Sequence, residues 1–355
     1  MLGPLITQPS SGSESAEKSA DLATSDDLPV SRETTAVVDE AAPLADLDGS
    51  ELDGPQPDVR DAPREATADD QLDAELIAAT RPAPPAVWPR PNSRRLITVA
   101  NQKGGVGKTT STVNLAASLA EHGARVLVID LDPQGNASTA FGVEHREGTP
   151  SVYDVLVQGR PIAEVVVAAE AIPNLDCVPA TIDLAGAEIE LVSMVARESR
   201  LHKALDAIEV DYDYVLVDCP PSLGLLTVNA LVAAREVLIP IQCEFYALEG
   251  LSQLLRNIEL VRAHLNPALA VSTILLTMYD GRTRLAEQVA AEVRDHFGPL
   301  VLSASIPRSV RISEAPGFGQ SVITYDPASR GALAYAEAAH EIAMRSVDPA
   351  EGTPS

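Results

Sequence analysis

The stretch Lys103-Gly104-Gly105-Val106-Gly107-Lys108-Thr109-Thr110 decides how this chain folds. It follows the apolar run Leu96-Ile97-Thr98-Val99-Ala100 and opens a segment of helical periodicity, Thr109 to His122, so it reads as strand, glycine loop, helix. Glycine lacks a Cβ, so backbone N–H groups in such a loop approach an anion closely, and the positive end of the following helix adds to the pull on phosphate oxygens. Lys108 is placed to reach the outer phosphates of a nucleoside triphosphate, and the Thr109 hydroxyl to ligate Mg²⁺. A strict pattern asks for glycine where Gln102 stands, but the next position carries a second lysine, Lys103. Two lysines flank one phosphate cradle.

Outward from this loop, apolar runs of strand length alternate with helical segments. The strand candidates are 96–100, 125–129, 176–179, 214–217, 237–241, 272–278 and 301–305; the helices between them include 109–122, 201–208, 223–233, 248–264 and 285–297, with a closing helix over 330–345. Strands rich in Val, Ile and Leu on both faces predict an α/β fold, a mainly parallel twisted sheet covered by helices on both sides. Ligands of such sheets sit beyond the carboxyl ends of the strands.

Carboxylates fall at those ends. After the second strand comes Asp130-Leu131-Asp132-Pro133-Gln134-Gly135. Two carboxylates at i and i+2 on extended backbone point the same way, which suits one magnesium shell and its waters, and Pro133 and Gly135 break the strand into a loop. The run Tyr214-Val215-Leu216-Val217 ends in Asp218, an apolar strand closed by the carboxylate that holds Mg²⁺ directly or through water. Phosphoryl transfer asks mainly for positioning and charge neutralisation.

Residues 1–90 hold 19 Asp/Glu against 6 Lys/Arg, a net of −13, with few aromatics; the remainder holds 32 against 20, a net of −12. The first portion lacks the apolar density to offset the entropy of ordering, so 1–93 is expected to be a disordered acidic tail and linker, 94–346 the folded domain and 347–355 a disordered end. Trp88, alone among the linker prolines, is expected to dock on its own domain. A net charge of −25 disfavours indiscriminate attraction to nucleic acid, so any DNA binding must come from a local basic patch and depend steeply on salt. Cys177, Cys219 and Cys243 form no Cys-x-x-Cys pair, which suits reduced thiols. No signal segment or apolar run of membrane-spanning length is evident, and a cytoplasmic protein is expected.

The loop with its extra lysine resembles the deviant Walker A motif of ParA/MinD-type ATPases. The segments Gln242–Gly250, Thr277–Thr283 and Ile306–Gly317 resemble the chromosomal ParA (Soj-like) partition ATPases, and the similarity spans about residues 94 to 346. The resemblance implies a three-layer P-loop NTPase using ATP and Mg²⁺. Its nucleotide-binding residues would be Lys103, Gly104, Gly105, Val106, Gly107, Lys108, Thr109 and Thr110, with Pro307 beside the adenine. The metal site would involve Thr109, Asp130 and Asp218. Lys103, Lys108 and Asp132 would be catalytic, Asp132 positioning the attacking water and Lys103 crossing a two-fold ATP-bound homodimer. Two ammonium groups in one monomeric loop would otherwise repel. The resemblance also places DNA-gripping arginines at Arg282, Arg308 and Arg311, whose guanidinium forks suit phosphate contact without base reading. Partners would be nonspecific double-stranded DNA and a ParB-type centromere-binding protein, with nucleoid association following.

Two rival readings need features that are weak here. A MinD-like membrane-cycling ATPase needs a terminal amphipathic helix with a basic face, whereas 334–345 is Ala-rich and partly acidic. An iron–sulfur-linked ATPase needs cysteines paired across two subunits around a cluster. The expected function is therefore an ATP-dependent chromosome or plasmid partitioning ATPase.

Overall fold

The computed structural model describes residues 88–244 and 247–345, without the side chains of 247–249. The expected tail, the linker prolines before Trp88 and the C-terminal end fall outside the described residues. The strands in chain order are β1 (Arg95–Val99), β2 (Val126–Asp130), β3 (Val167–Ala168), β4 (Leu175–Val178), β5 (Tyr214–Asp218), β6 (Glu236–Gln242), β7 (Ala270–Tyr279) and β8 (Val301–Pro307). The helices are α1 (Lys108–Glu121), α2 (Asn136–Ala140), α3 (Leu184–Val192), α4 (Arg200–Asp206), α5 (Leu225–Ala233), α6 (Ala247–His264), α7 (Arg284–Phe297), α8 (Val310–Glu314), α9 (Val322–Tyr325) and α10 (Arg330–Met344).

The strands form one sheet in the order β3-β4-β2-β5-β1-β6-β7-β8. Every pairing is parallel except the short β3–β4 edge. Every residue of β1, β2 and β5 is buried, because helices cover both faces and continuous aliphatic runs satisfy both. One core lies under α3 to α7, and the other joins Trp88, α1, α2, α9 and α10. Helix α1 is almost wholly buried. Its alanines, with Ala334, Ala338 and Ala339 of α10 in the same core, allow two helix backbones to approach closely.

The seven expected strands are all present with ends shifted by a residue or two. The β3 edge, α2, α3, α8 and α9 carry no periodic signal long enough to read from sequence. Trp88 docks as expected: its ring stacks on His122 with centroids 3.5 Å apart and meets His340 edge-on at 5.3 Å. Arg90 extends the strap, donating to Gly123 O.

Candidate functional site

Parallel strands leave their carboxyl ends on one rim, and β1 delivers the glycine loop there. Asn101 holds the loop's entrance, donating from Nδ2 to Pro240 O at 2.8 Å and accepting Lys103 N on Oδ1 at 3.0 Å. Thr277 of β7 holds the far side, donating to Val106 O at 2.8 Å. Gly105 and Gly107 have φ of 74° and 87°, the left-handed region where a Cβ is strained. A Cβ on Gly104 or Gly105 would meet no atom within 4 Å, so the loop backbone is open to an approaching anion.

The two lysines separate. Lys108 is buried, with Nζ turned back to Lys103 O at 3.4 Å. Burial pulls its pKa down, opposed by the Asp218 carboxylate. Lys103 is 40 % exposed and its Nζ lies 3.1 Å from Glu244 Oε2. One cation lies under the loop and the other projects from its mouth.

Strands β2 and β5 run side by side in a register that pairs Asp130 with Asp218. Both carboxyls are fully buried. Desolvation pushes both pKa values up, and each is raised further by a neighbouring carboxylate. Asp130 Oδ2 accepts Ser138 N at 2.9 Å and Ser138 Oγ at 2.8 Å, while Oδ1 accepts Asp132 N at 3.1 Å. Its direct work is therefore to shape the loop that carries Asp132. Asp132 is buried at the rim, its Oδ1 accepting Gln134 N at 3.0 Å.

Asp218 is different. Its Oδ1 accepts the Thr112 hydroxyl at 3.1 Å, but Oδ2 is buried without a partner. An unpaired buried carboxylate oxygen is costly unless a cation is bound there. The Thr109 hydroxyl lies beside the same carboxyl and draws its pKa down against the burial. Among the described residues no cluster of three or more His, Cys, Asp or Glu side chains would hold a metal alone. A magnesium ion held by Thr109 and Asp218 would therefore need its other ligands from phosphate oxygens and water, the usual habit of Mg²⁺.

A cavity of about 230 Å³ continues from Thr109 along α1, lined by Thr110, Val113 and Asn114, by Asn136 and Thr139 of α2, and by Pro316 and Gln320. An apolar floor with a few carboxamides and hydroxyls suits a nucleoside. Pro307 ends β8 opposite Tyr279 and is not among the lining residues. Pro316, from the same segment, is.

Arg282 and Arg308 follow β7 and β8, and Arg308 N donates to Tyr279 O, so they share one stretch of rim. Arg282 is 91 % exposed and Arg308 lies 4.0 Å from Glu244. Arg311 is only 20 % exposed, held by Glu314 at 3.2 Å and Asp326 at 3.4 Å. Sequence reasoning missed Asn101, Thr112, Ser138 and Thr277, ordinary polar residues whose role appears only when distant segments meet.

This is the architecture of a P-loop nucleoside triphosphatase with a second lysine at the loop's mouth. A family model described as an AAA domain matches residues 94–271. The chain is 54 % identical over 249 residues to the sporulation initiation inhibitor protein Soj of Bacillus subtilis, covering 70 % of this chain and 98 % of that protein. It is 52 % identical over 259 residues to the chromosome partitioning protein ParA of Caulobacter vibrioides, covering 72 % and 97 %. The crystal structure of cobyrinic acid a,c-diamide synthase from Mycobacterium smegmatis, with bound ADP and magnesium, superposes with a TM-score of 0.60 at 40 % identity, covering 69 % of this chain and 92 % of that one. The chain belongs to the ParA/Soj family of chromosome partitioning proteins. It is a P-loop ATPase whose cofactors are ATP and Mg²⁺.

Proposed function

We propose that this chain is a partition switch in which ATP joins two copies face to face, the joined pair holds DNA through its backbone, and hydrolysis separates them. The observation that carries this reading is the division of labour between the lysines: Lys108 is buried under its own loop while Lys103 points outward. In this reading the backbone N–H groups of 104–109 and Lys108 bind the phosphates, and Lys103 leaves Glu244 to neutralise charge on the partner copy's nucleotide. Asp132 orients the attacking water, positioned by the hold of Asp130 on Asp132 N and Ser138. Magnesium, when bound, supplies charge neutralisation at the β and γ phosphates. Thr109 and Asp218 hold it, and the nucleoside lies along Thr110, Asn114 and Pro316, with Pro316 rather than Pro307 as the proline beside the base.

Arg282, Arg308 and Arg311 then contact phosphates without reading bases, and Arg311 must first exchange Glu314 and Asp326 for DNA. The name chromosome partitioning protein, carried by a relative 52 % identical to this chain, supports a chromosomal role. The same reading takes a ParB-type centromere-binding partner as the stimulator of hydrolysis and places the work at the nucleoid in the cytoplasm. No helix among the described residues is long and apolar enough to cross a membrane.

The test is light scattering with MgATP on an Asp132→Ala background, which slows hydrolysis. Saturating ATP should double the mass. Adding Lys103→Ala should keep the chain single while nucleotide binding by fluorescence titration stays within a few-fold. A dimer that persists without Lys103 defeats the trans role.

A further inference from the structure

Helix α3 buries Leu184, Ala187 and Leu191 in the core, packing against the short helical turn at Asp154–Gln158 and α5, yet its outer side is also apolar. Ile189 and Val192 are 79 % and 58 % exposed, and Ile182 just before the helix and Val195 just after it are 59 % and 90 % exposed. With Ala185, also exposed, the positions from Ile182 to Val192 recur at intervals of three and four, and Val195 follows in the turn after the helix. That spacing forms the seam by which one helix receives another. Aliphatic side chains clustered at such exposure mark an interaction surface.

The charge around the seam selects the partner. Residues 181–196 contain Asp183, Glu188 and Glu190 and no Lys, Arg or His. The next residue, Arg197, is committed to Glu198 Oε1 and Val192 O, each at 2.8 Å. A second copy would bring the same acidic rim against itself, on a chain already at −25, and like charges across an interface are disfavoured. A lysine- or arginine-rimmed helix meets both the apolar line and the acids.

The seam also adjoins both segments that leave the nucleotide carboxylates. Ala180 N, just ahead of it, donates to Ser138 Oγ at 3.2 Å, the same hydroxyl that holds Asp130. The Glu188 carboxyl lies against Gly224, in the loop after Asp218. We infer that the outer seam of α3, from Ile182 to Val195, docks a basic amphipathic helical segment of another protein. The occupant is defined by its chemistry, and the inference stands whether or not the partition reading holds.

The probe is a fluorescently labelled amphipathic peptide of leucine and lysine, titrated by anisotropy into the full-length chain, with a leucine and glutamate peptide of the same pattern as its counterpart. Ile189→Asp with Val192→Asp should weaken the basic peptide at least about tenfold, since two aliphatic anchors are lost. The matched pair Leu260→Asp and Leu265→Asp on and after α6 should leave its affinity within about twofold. Both pairs add equal negative charge, so indiscriminate attraction to an acidic chain moves them alike. These positions are exposed, and unchanged circular dichroism melting confirms that the fold persists. Equal binding of the two peptides, equal effects of the two variant pairs, or self-association that the α3 pair abolishes without any peptide each overturns the inference.

Discussion

Gly135 opens α2 at φ +62°, and a Cβ there would stand 2.6 Å from His145 Cδ2 and 3.2 Å from Ala180 O. Gly135→Ala should therefore cost about 1–2 kcal/mol for the left-handed backbone alone. It should lower ATP turnover more than nucleotide affinity, because the displaced turn carries Asp132; steady-state kinetics beside an equilibrium titration separates the two. Arg95 and Glu236 make a buried pair at 2.6 Å across β1 and β6, far from the nucleotide. Removing one partner strands the other charge, so Glu236→Ala should lose about 3–5 kcal/mol in urea unfolding, and Glu236→Gln less. Legibility is uneven at this scale. Lys103, Lys108 and Asp218 stand out because loop and strand patterns fix their places. Ser138 does not, because nothing in its neighbours says that its hydroxyl will meet a carboxylate eight residues back.

At the scale of elements, the pairing of β2 with β5 sets a pH dependence. Burial raises the pKa of Asp130 and Asp218, the latter to about 8. A carboxyl whose folded pKa exceeds its unfolded one contributes stability at low pH that is lost as pH rises through the folded value. The free protein should therefore weaken on going from mildly acidic pH toward about 8, and a cation on Asp218 offsets that loss. The rise in Tm on adding Mg²⁺ with nucleotide should grow across this window, and Asp218→Asn should flatten the trend in a thermal-shift series. Helix α1 has a second dependence, at its far end. Trp88 stacks on His122, so Trp88→Ala should cost about 3 kcal/mol by the usual loss on truncating a buried aromatic. Chains starting at residue 88 and at residue 94 should differ in Tm accordingly. The linker composition points to docking but leaves its place open, since His122 and His340 lie in different parts of the chain.

For the whole molecule, a net charge of −25 opposes DNA, and the proposed partition reading rests the contact on three arginines. Arg282→Glu with Arg311→Glu should abolish retention on DNA while leaving ATP-dependent doubling of mass intact, checked by filter binding and light scattering on the same preparations. In the unsubstituted protein, each phosphate contact should add about 0.9 to the slope of log affinity against log salt. The sequence by itself determined the sheet, its parallel sense, the loop and the carboxylates at the strand ends, because those follow from periodicity and short-range spacing. Only the tertiary structure decided which oxygens are spoken for: Asp130 is satisfied by Ser138 and Asp132, Asp218 keeps one oxygen unpaired, and Lys103 rests on Glu244. It also decided that α3 carries apolar side chains on two sides. Partners in hydrogen bonds and faces left uncovered depend on which distant segments meet, and that is set by packing the sheet's two faces.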